Sequence, residues 1–227
     1  MSGPITHKAT MEKMIGVSRV HMPVFWTVGG YLDNIEADTN NNLTSHGADL
    51  TKSPKDYGLL FTHVIPTMEL IKSKLEEEES DGVLIRRLCH YCEDSLTVGQ
   101  ICGLEFWGSI DDRVDIASEL VSGKKNLHNN DISFSSSFDN LVERHKSIMN
   151  IVYSRYYKDA KKWGRIITPR EVTNMTRVAV VNGANLAASW LFYAWNEAGC
   201  PEIQKNFIFR DFRNKFFDRK PKKGSVV

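Results

Sequence analysis

The residues of this 227-residue chain best suited to chemistry gather in its C-terminal half. Arg144, Lys146, Arg155, Lys158, Lys161, Lys162, Arg165, Arg170 and Arg177 span two predicted helices and the turn between them. Tyr153, Tyr156, Tyr157 and Trp163 are interleaved with them, and farther on Arg210, Arg213, Lys215 and Arg219 alternate with Phe207, Phe209, Phe212, Phe216 and Phe217. Cations neutralise phosphates and release counterions, while aromatic faces accept unstacked bases at about 1–3 kcal/mol per base. Guanidinium groups at 144, 155 and 165 add planar, bidentate phosphate contacts that an ammonium cannot make. The pattern predicts a groove for single-stranded RNA read without sequence preference. Its cations run from Arg144 to Arg213, with Tyr156 and Trp163 as stacking rings. A plainer reading stands beside it: charges on a helix are ordinarily a solvated face, and most of these rings suit a core.

The charge balance points the same way. Residues 1–140 carry 12 Lys and Arg against 21 Asp and Glu, and residues 141–227 carry 17 against 7. Balances of −9 and +10 thus make up a net charge of only +1. Asymmetry of this size concerns partners rather than fold. A polyanion suits the basic half, and the acidic half can meet the basic face of a second copy.

Other constellations lead to packing instead of chemistry. Cys89-His90-x-Cys92, with Cys102 ten residues on, suggests zinc, but a structural zinc needs four ligands in a tetrahedral array. Cys89 and Cys92 share a helix face, His90 points elsewhere and no fourth ligand has knuckle spacing, so buried thiols and no metal are expected. Asp111, Asp112 and Asp115 suit a helix N-terminus, where carboxylates are stabilised anyway. Ser122-Gly-Lys-Lys125 fits S-x-x-K but crosses a predicted helix end. No phosphate loop, dinucleotide fingerprint, H-E-x-x-H or G-x-S-x-G occurs, and the seven histidines show no convergence. No catalytic residue and no cofactor are therefore expected. An enzyme would have to draw on the acidic half and on His63, His90 and Cys92.

The elements that must position the cations read as helical. Met68, Leu70, Ile71 and Leu75 form a stripe behind Pro66 and ahead of Glu76–Glu79, an acidic helix end that frays or meets basic residues. Helical spacing continues from Val83 to Cys102, and Ser109 with Asp112 resembles a capping box for a helix through Leu120. A helix is predicted from Ser137 to about Lys162 with Phe138, Leu141, Val142, Ile148, Met149 and Val152 buried. Thr168 caps the next, with Pro169 in its first position, Glu171 bonding back and Gly199 at its end. Its stretch from Val178 to Ala198 is apolar nearly all round, and Gly183, Ala184, Ala187 and Ala188 permit close helix approach. A last helix is predicted from Glu202 to about Phe217.

Val20–Leu32 reads as a short strand or extended arm, Glu36–Tyr57 as an exposed polar loop, and Asn126–Ser137 as a polar connector. The fold class is mainly α: one helical-bundle-like domain with extended N-terminal and C-terminal arms. Its parts are an arm and loop at 1–58, a helical core at 59–218 and a basic tail at 219–227. That tail, Arg219-Lys-Pro-Lys-Lys223, suits a phosphate-binding arm, a nuclear signal or only a soluble end. No run of about 18 apolar residues occurs and the first 15 residues lack a signal-peptide core, so neither a membrane span nor secretion is expected. The triplets Asn42–Thr44 and Asn174–Thr176 then carry no glycan, and four cysteines suit a reducing compartment.

In length, helical core, ends and basic aromatic C-terminal half, the chain resembles the coat and nucleocapsid proteins of filamentous and helical RNA viruses. The stretch Ala187–Ile203 (AASWLFYAWNEAGCPEI), followed by Phe207-Ile-Phe-Arg-Asp-Phe212, is similar to the Trp-rich helix, Pro turn and Arg/Asp segment of flexuous filament coats. The order and spacing of Arg and Asp depart from that pattern, so no residue role is carried over. The resemblance implies a self-assembling homo-oligomer that packages RNA, found in the virion and the host cytoplasm. The rival expectation is an all-α, matrix-like adaptor whose basic half meets an acidic partner or a membrane surface.

Overall fold

The most apolar stretch of the sequence becomes the hub of the fold. In a computed structural model, residues 4–18, 22, 57–79, 81–97, 101, 137–157 and 169–201 are described. Among them lie five α-helices and no strand: α1 (Pro4–Ser18), α2 (Ile65–Glu76), α3 (Gly82–Asp94), α4 (Phe138–Val152) and α5 (Pro169–Glu197). The domain they build is mainly α, and all four other helices pack against α5. Ala184, Ala187, Ala188, Trp190, Leu191 and Ala194 of α5 are buried. Around them sit Met11 and Met14 of α1, Met68 and Leu75 of α2, and Ile85 and Leu88 of α3. Small residues let the axes close up. A Cβ built on Gly183 would stand 2.8 Å from Glu93 Cα, so α3 and α5 approach backbone to backbone here.

Local chemistry explains the helix ends. Asp81 caps α3, its Oδ1 accepting from the amides of Val83 (2.8 Å) and Leu84 (3.2 Å). Pro169 opens α5. Its far end closes with Gly199 at φ +82°, Gly199 N–H bonding Asn196 O and Cys200 N–H bonding Trp195 O, a Schellman turn. The acidic end of α2 meets basic residues: Lys74 bridges Glu77 (2.8 Å) and Glu79 (3.0 Å), and Lys72 faces Glu76 at 3.7 Å.

Three readings change. Pro4–Ser18 lies within the region assigned to an arm, yet it is a helix packed on α3 and α5. Its buried face includes Thr6, Thr10 and Ser18 beside Ala9, Met11 and Met14, so an apolar period is hard to see. Leu70 is 56% exposed, because Met68, Ile71 and Leu75 at i, i+3 and i+7 already define the inner face of α2. The helix predicted over 137–162 is α-helical only to Val152 and then widens into a π turn, Tyr153–Tyr157. A second π turn, Leu60–Val64, leads into α2.

Outside the described residues lie the strand or arm at 20–32 apart from Met22, the loop at 36–56, the helix at 109–120, the connector at 126–136, Thr168, the helix at 202–217 and the tail. Cys102, Asp111, Asp112, Asp115 and Ser122–Lys125 lie there too. Among the described residues no helix is long and apolar enough to cross a membrane.

Candidate functional site

The outer face of α4 carries the cations of one groove. Lys146, Asn150 and Ser154 stand at successive i+4 positions, and with Tyr57, Ile151 and Arg155 they line a groove of about 570 Å3. The π turn that follows α4 lines it through Ser154 and Arg155, and Glu143 places a carboxylate in the same lining. Wide turns of this kind occur often at functional sites. Asn150 Nδ2 donates to Tyr57 Oη at 2.7 Å and holds that ring against α4. Lys146 Nζ lies 5.6 Å from the Tyr57 ring centre and 5.4 Å from that of Phe61, a cation–π arrangement worth about 0.5–1 kcal/mol where exposed. It also pairs with Glu143 at 2.7 Å, an exposed (i, i+3) contact that solvent screens and that costs little to exchange for another anion. Phe61 and Ile151 are half exposed beside these charges.

The other predicted cations do not all join this groove. Arg144 is two positions from Lys146, about 200° around the helix, and is half-buried. Arg170 and Arg177 are exposed on α5, seven residues apart and so on one face. Arg177 approaches Lys13 of α1, and burial together with this guanidinium holds the Lys13 ammonium below its usual range. Of the predicted cations that are described, Lys146 and Arg155 share the α4 groove, Arg144 lies off it, and Arg177 lies beside Lys13 where α1 meets α5. Lys158, Lys161, Lys162, Trp163, Arg165, Arg210, Arg213 and the ring of Tyr156 lie outside the described residues and side chains.

Where α3 ends, three consecutive buried polar residues, Glu93, Asp94 and Ser95, each meet a different histidine. Glu93 and Asp94 have fully buried side chains. His7 of α1 donates from Nδ1 to Glu93 Oε2 at 3.1 Å, and His90 Nε2 sits 3.2 Å from Asp94 Oδ2. The two imidazoles are 4.1 Å apart, centre to centre. One donor atom each from His7, His90 and Asp94 fall within 4.8 Å of one another, the arrangement among the described residues that fits a metal ion.

Ser95, next in sequence, faces α4. Its Oγ is 2.8 Å from His145 Nε2, and Trp190 Nε1 donates to His145 Nδ1 at 3.1 Å. Indole N–H only donates, so Nδ1 carries the lone pair and Nε2 the proton. The imidazole therefore donates to Ser95 Oγ, which donates in turn to Cys92 O at 2.7 Å. A general base needs the reverse arrangement. Burial pulls His145 down to a pKa of about 3, so it is a neutral packing element and not half of a catalytic dyad.

The remaining enzyme candidates are similarly occupied. Cys89 and Cys92 are buried, and burial raises both thiols well above the usual range, with Glu93 and Cys92 adding to the effect on Cys89. They stay protonated, as packing thiols should. His63 stacks on Tyr91 with ring centres 4.8 Å apart.

A scan against protein-family models, a search of curated proteins and a search of solved structures each found no match. Function therefore rests on the site chemistry.

Sequence reasoning missed the Tyr57 ring of the groove, the Phe61 ring beside Lys146, and His7, Glu93 and Asp94 as a cluster. His90-x-x-x-Asp94 is a readable (i, i+4) pair on one helix face. His7, by contrast, is 86 residues from Glu93, and no local pattern announces that contact.

Proposed function

We propose that this chain binds single-stranded RNA without sequence preference and assembles with further copies of itself to package it, the groove along α4 being one part of the RNA track. The observation carrying this reading is the convergence of Lys146, Arg155 and the Tyr57 ring at one open groove, with the Phe61 ring also beside the Lys146 ammonium. Phosphate neutralisation and base stacking call for that mixture of groups. The +10 balance of residues 141–227 supplies the electrostatic pull, and the −9 balance of residues 1–140 supplies an acidic counterpart for a neighbouring copy.

The test is a salt series of binding to a fluorescent oligouridylate, read by anisotropy, with sedimentation to follow assembly. Single strands lose about 0.7 in the log–log salt slope per phosphate contact, so K146A/R155A should flatten the slope by about 1.4. The same double variant should weaken binding to every sequence by a similar factor. A salt-independent response, or a double variant that binds like its parent, removes this reading. Binding to acidic vesicles or to an acidic protein with no RNA affinity favours the adaptor instead.

A further inference from the structure

We propose that His7, His90 and Asp94 form a binding site for one divalent transition-metal ion of the zinc class, with Glu93 as the positioning residue for His7. Four arguments converge on it.

The first is geometric. Imidazole nitrogen and carboxylate oxygen bind zinc at about 2.0–2.2 Å, which puts two ligands of one ion about 3–4 Å apart. The three donor atoms here already lie within 4.8 Å of one another, so small side-chain rotations complete the set. The donors come from two helices packed together, and His90 and Asp94 are one turn apart on the same face of α3.

The second is electrostatic. Glu93 and Asp94 place two carboxylates in the interior with no side-chain exposure. Burying a carboxylate is unfavourable unless compensating charge and hydrogen bonds accompany it. Neutral imidazoles supply hydrogen bonds without charge, whereas a divalent cation supplies the charge.

The third is chemical selectivity. Two nitrogens and one oxygen suit zinc and its neighbours in the first transition row, while calcium and magnesium favour all-oxygen sets. The fourth lies one step outward. With its Nδ1 proton directed to Glu93, His7 keeps the lone pair on Nε2, the way carboxylates commonly set the tautomer of a ligating histidine.

Three protein ligands leave one position of a tetrahedral ion open. His7 is 12% exposed and His90 14%, so that position lies near solvent and can take a water molecule. The ion would also tie α1 to α3 and stiffen the N-terminal helix.

The experiment uses the full chain, stripped with a chelator and titrated with Co2+ and then Zn2+. One equivalent of Co2+ should give the visible bands of a nitrogen- and oxygen-ligated ion without thiolate charge transfer. Zn2+ should displace it, raise the melting temperature and slow amide exchange along α1. His7→Gln and His90→Gln should each weaken binding by about 100-fold or more, and Glu93→Gln by about 10–100-fold, the range for second-layer partners. Cys200→Ser, which removes an exposed thiol, should change nothing. If the histidine variants unfold, the parent decides alone: α1 protection on adding Zn2+ supports the site. The proposal is overturned by the lack of stoichiometric binding, by a thiolate spectrum, by unaltered α1 exchange, or by binding that survives both histidine substitutions. In the first case His7 and Glu93 are simply a hydrogen-bonded pair, with His90 and Asp94 side by side next to them.

Discussion

At the end of α3, Glu93 and Asp94 turn toward His7 and His90, while Ser95 turns toward His145. Two histidine environments thus sit side by side in one bundle with opposite properties. Both nitrogens of His145 are committed to neutral partners, Trp190 and Ser95, in a fully buried setting. The ring has no lone pair or proton to spare, so its contribution is shape and hydrogen bonding. His7 and His90 are partly exposed and face carboxylates, an anionic surrounding that attracts a proton or a metal ion. Residue type does not distinguish the two environments; the partners do, because each imidazole nitrogen either donates or accepts and the neighbour determines which.

The comparison can be attacked from the His145 side first. Trp190→Ala removes the largest fully buried side chain among the described residues and the donor to His145, and should cost about 3–5 kcal/mol in urea unfolding. A loss below about 1 kcal/mol would show that this side is not the packed centre described here.

Acid should distinguish the two environments as well. The folded-state pKa of His145, about 3, lies below its ordinary value of 6.5, so the unfolded chain takes up the proton more readily. The stability this ring contributes is complete above pH 6.5 and drains away as pH falls toward 3, on the order of 5 kcal/mol in all at 1.36 kcal/mol per unit. Urea midpoints across that range should fall more steeply for the parent than for His145→Gln. Equal slopes would mean that His145 is not held neutral.

The smallest of these effects sharpens the other side. Gly183→Ala puts a methyl group 2.8 Å from Glu93 Cα and forces α3 and α5 apart, at about 1–3 kcal/mol. Zn2+ affinity should fall with it, since Glu93 moves away from His7. Stability and metal affinity that both match the parent would show that the helices do not meet as closely as described.

Much of the fold was legible because its determinants are local. Pro169 opening α5 and Gly199 closing it are each readable within a few positions, as is the apolar spacing of α2, α3 and α4. The α1 helix escaped because its inner face uses threonine and alanine, which bury well only where another backbone comes close. Of the proposed RNA track, sequence alone indicated its cations and general composition. It did not indicate that Lys146 and Arg155 share a groove, that Arg144 turns from it, or that Arg177 belongs with Lys13.

The linear order of residues by itself determined the main spans of α2 to α5, the ends of α5 and the separation of acidic from basic halves, since hydrogen bonding within a turn and solvation of a side chain depend on near neighbours. Only tertiary structure decided which histidine meets a carboxylate and which meets an indole. His7 meets Glu93 across 86 residues and His145 meets Trp190 across 45, surroundings that no sequence window contains, whereas His90 and Asp94 lie one helical turn apart.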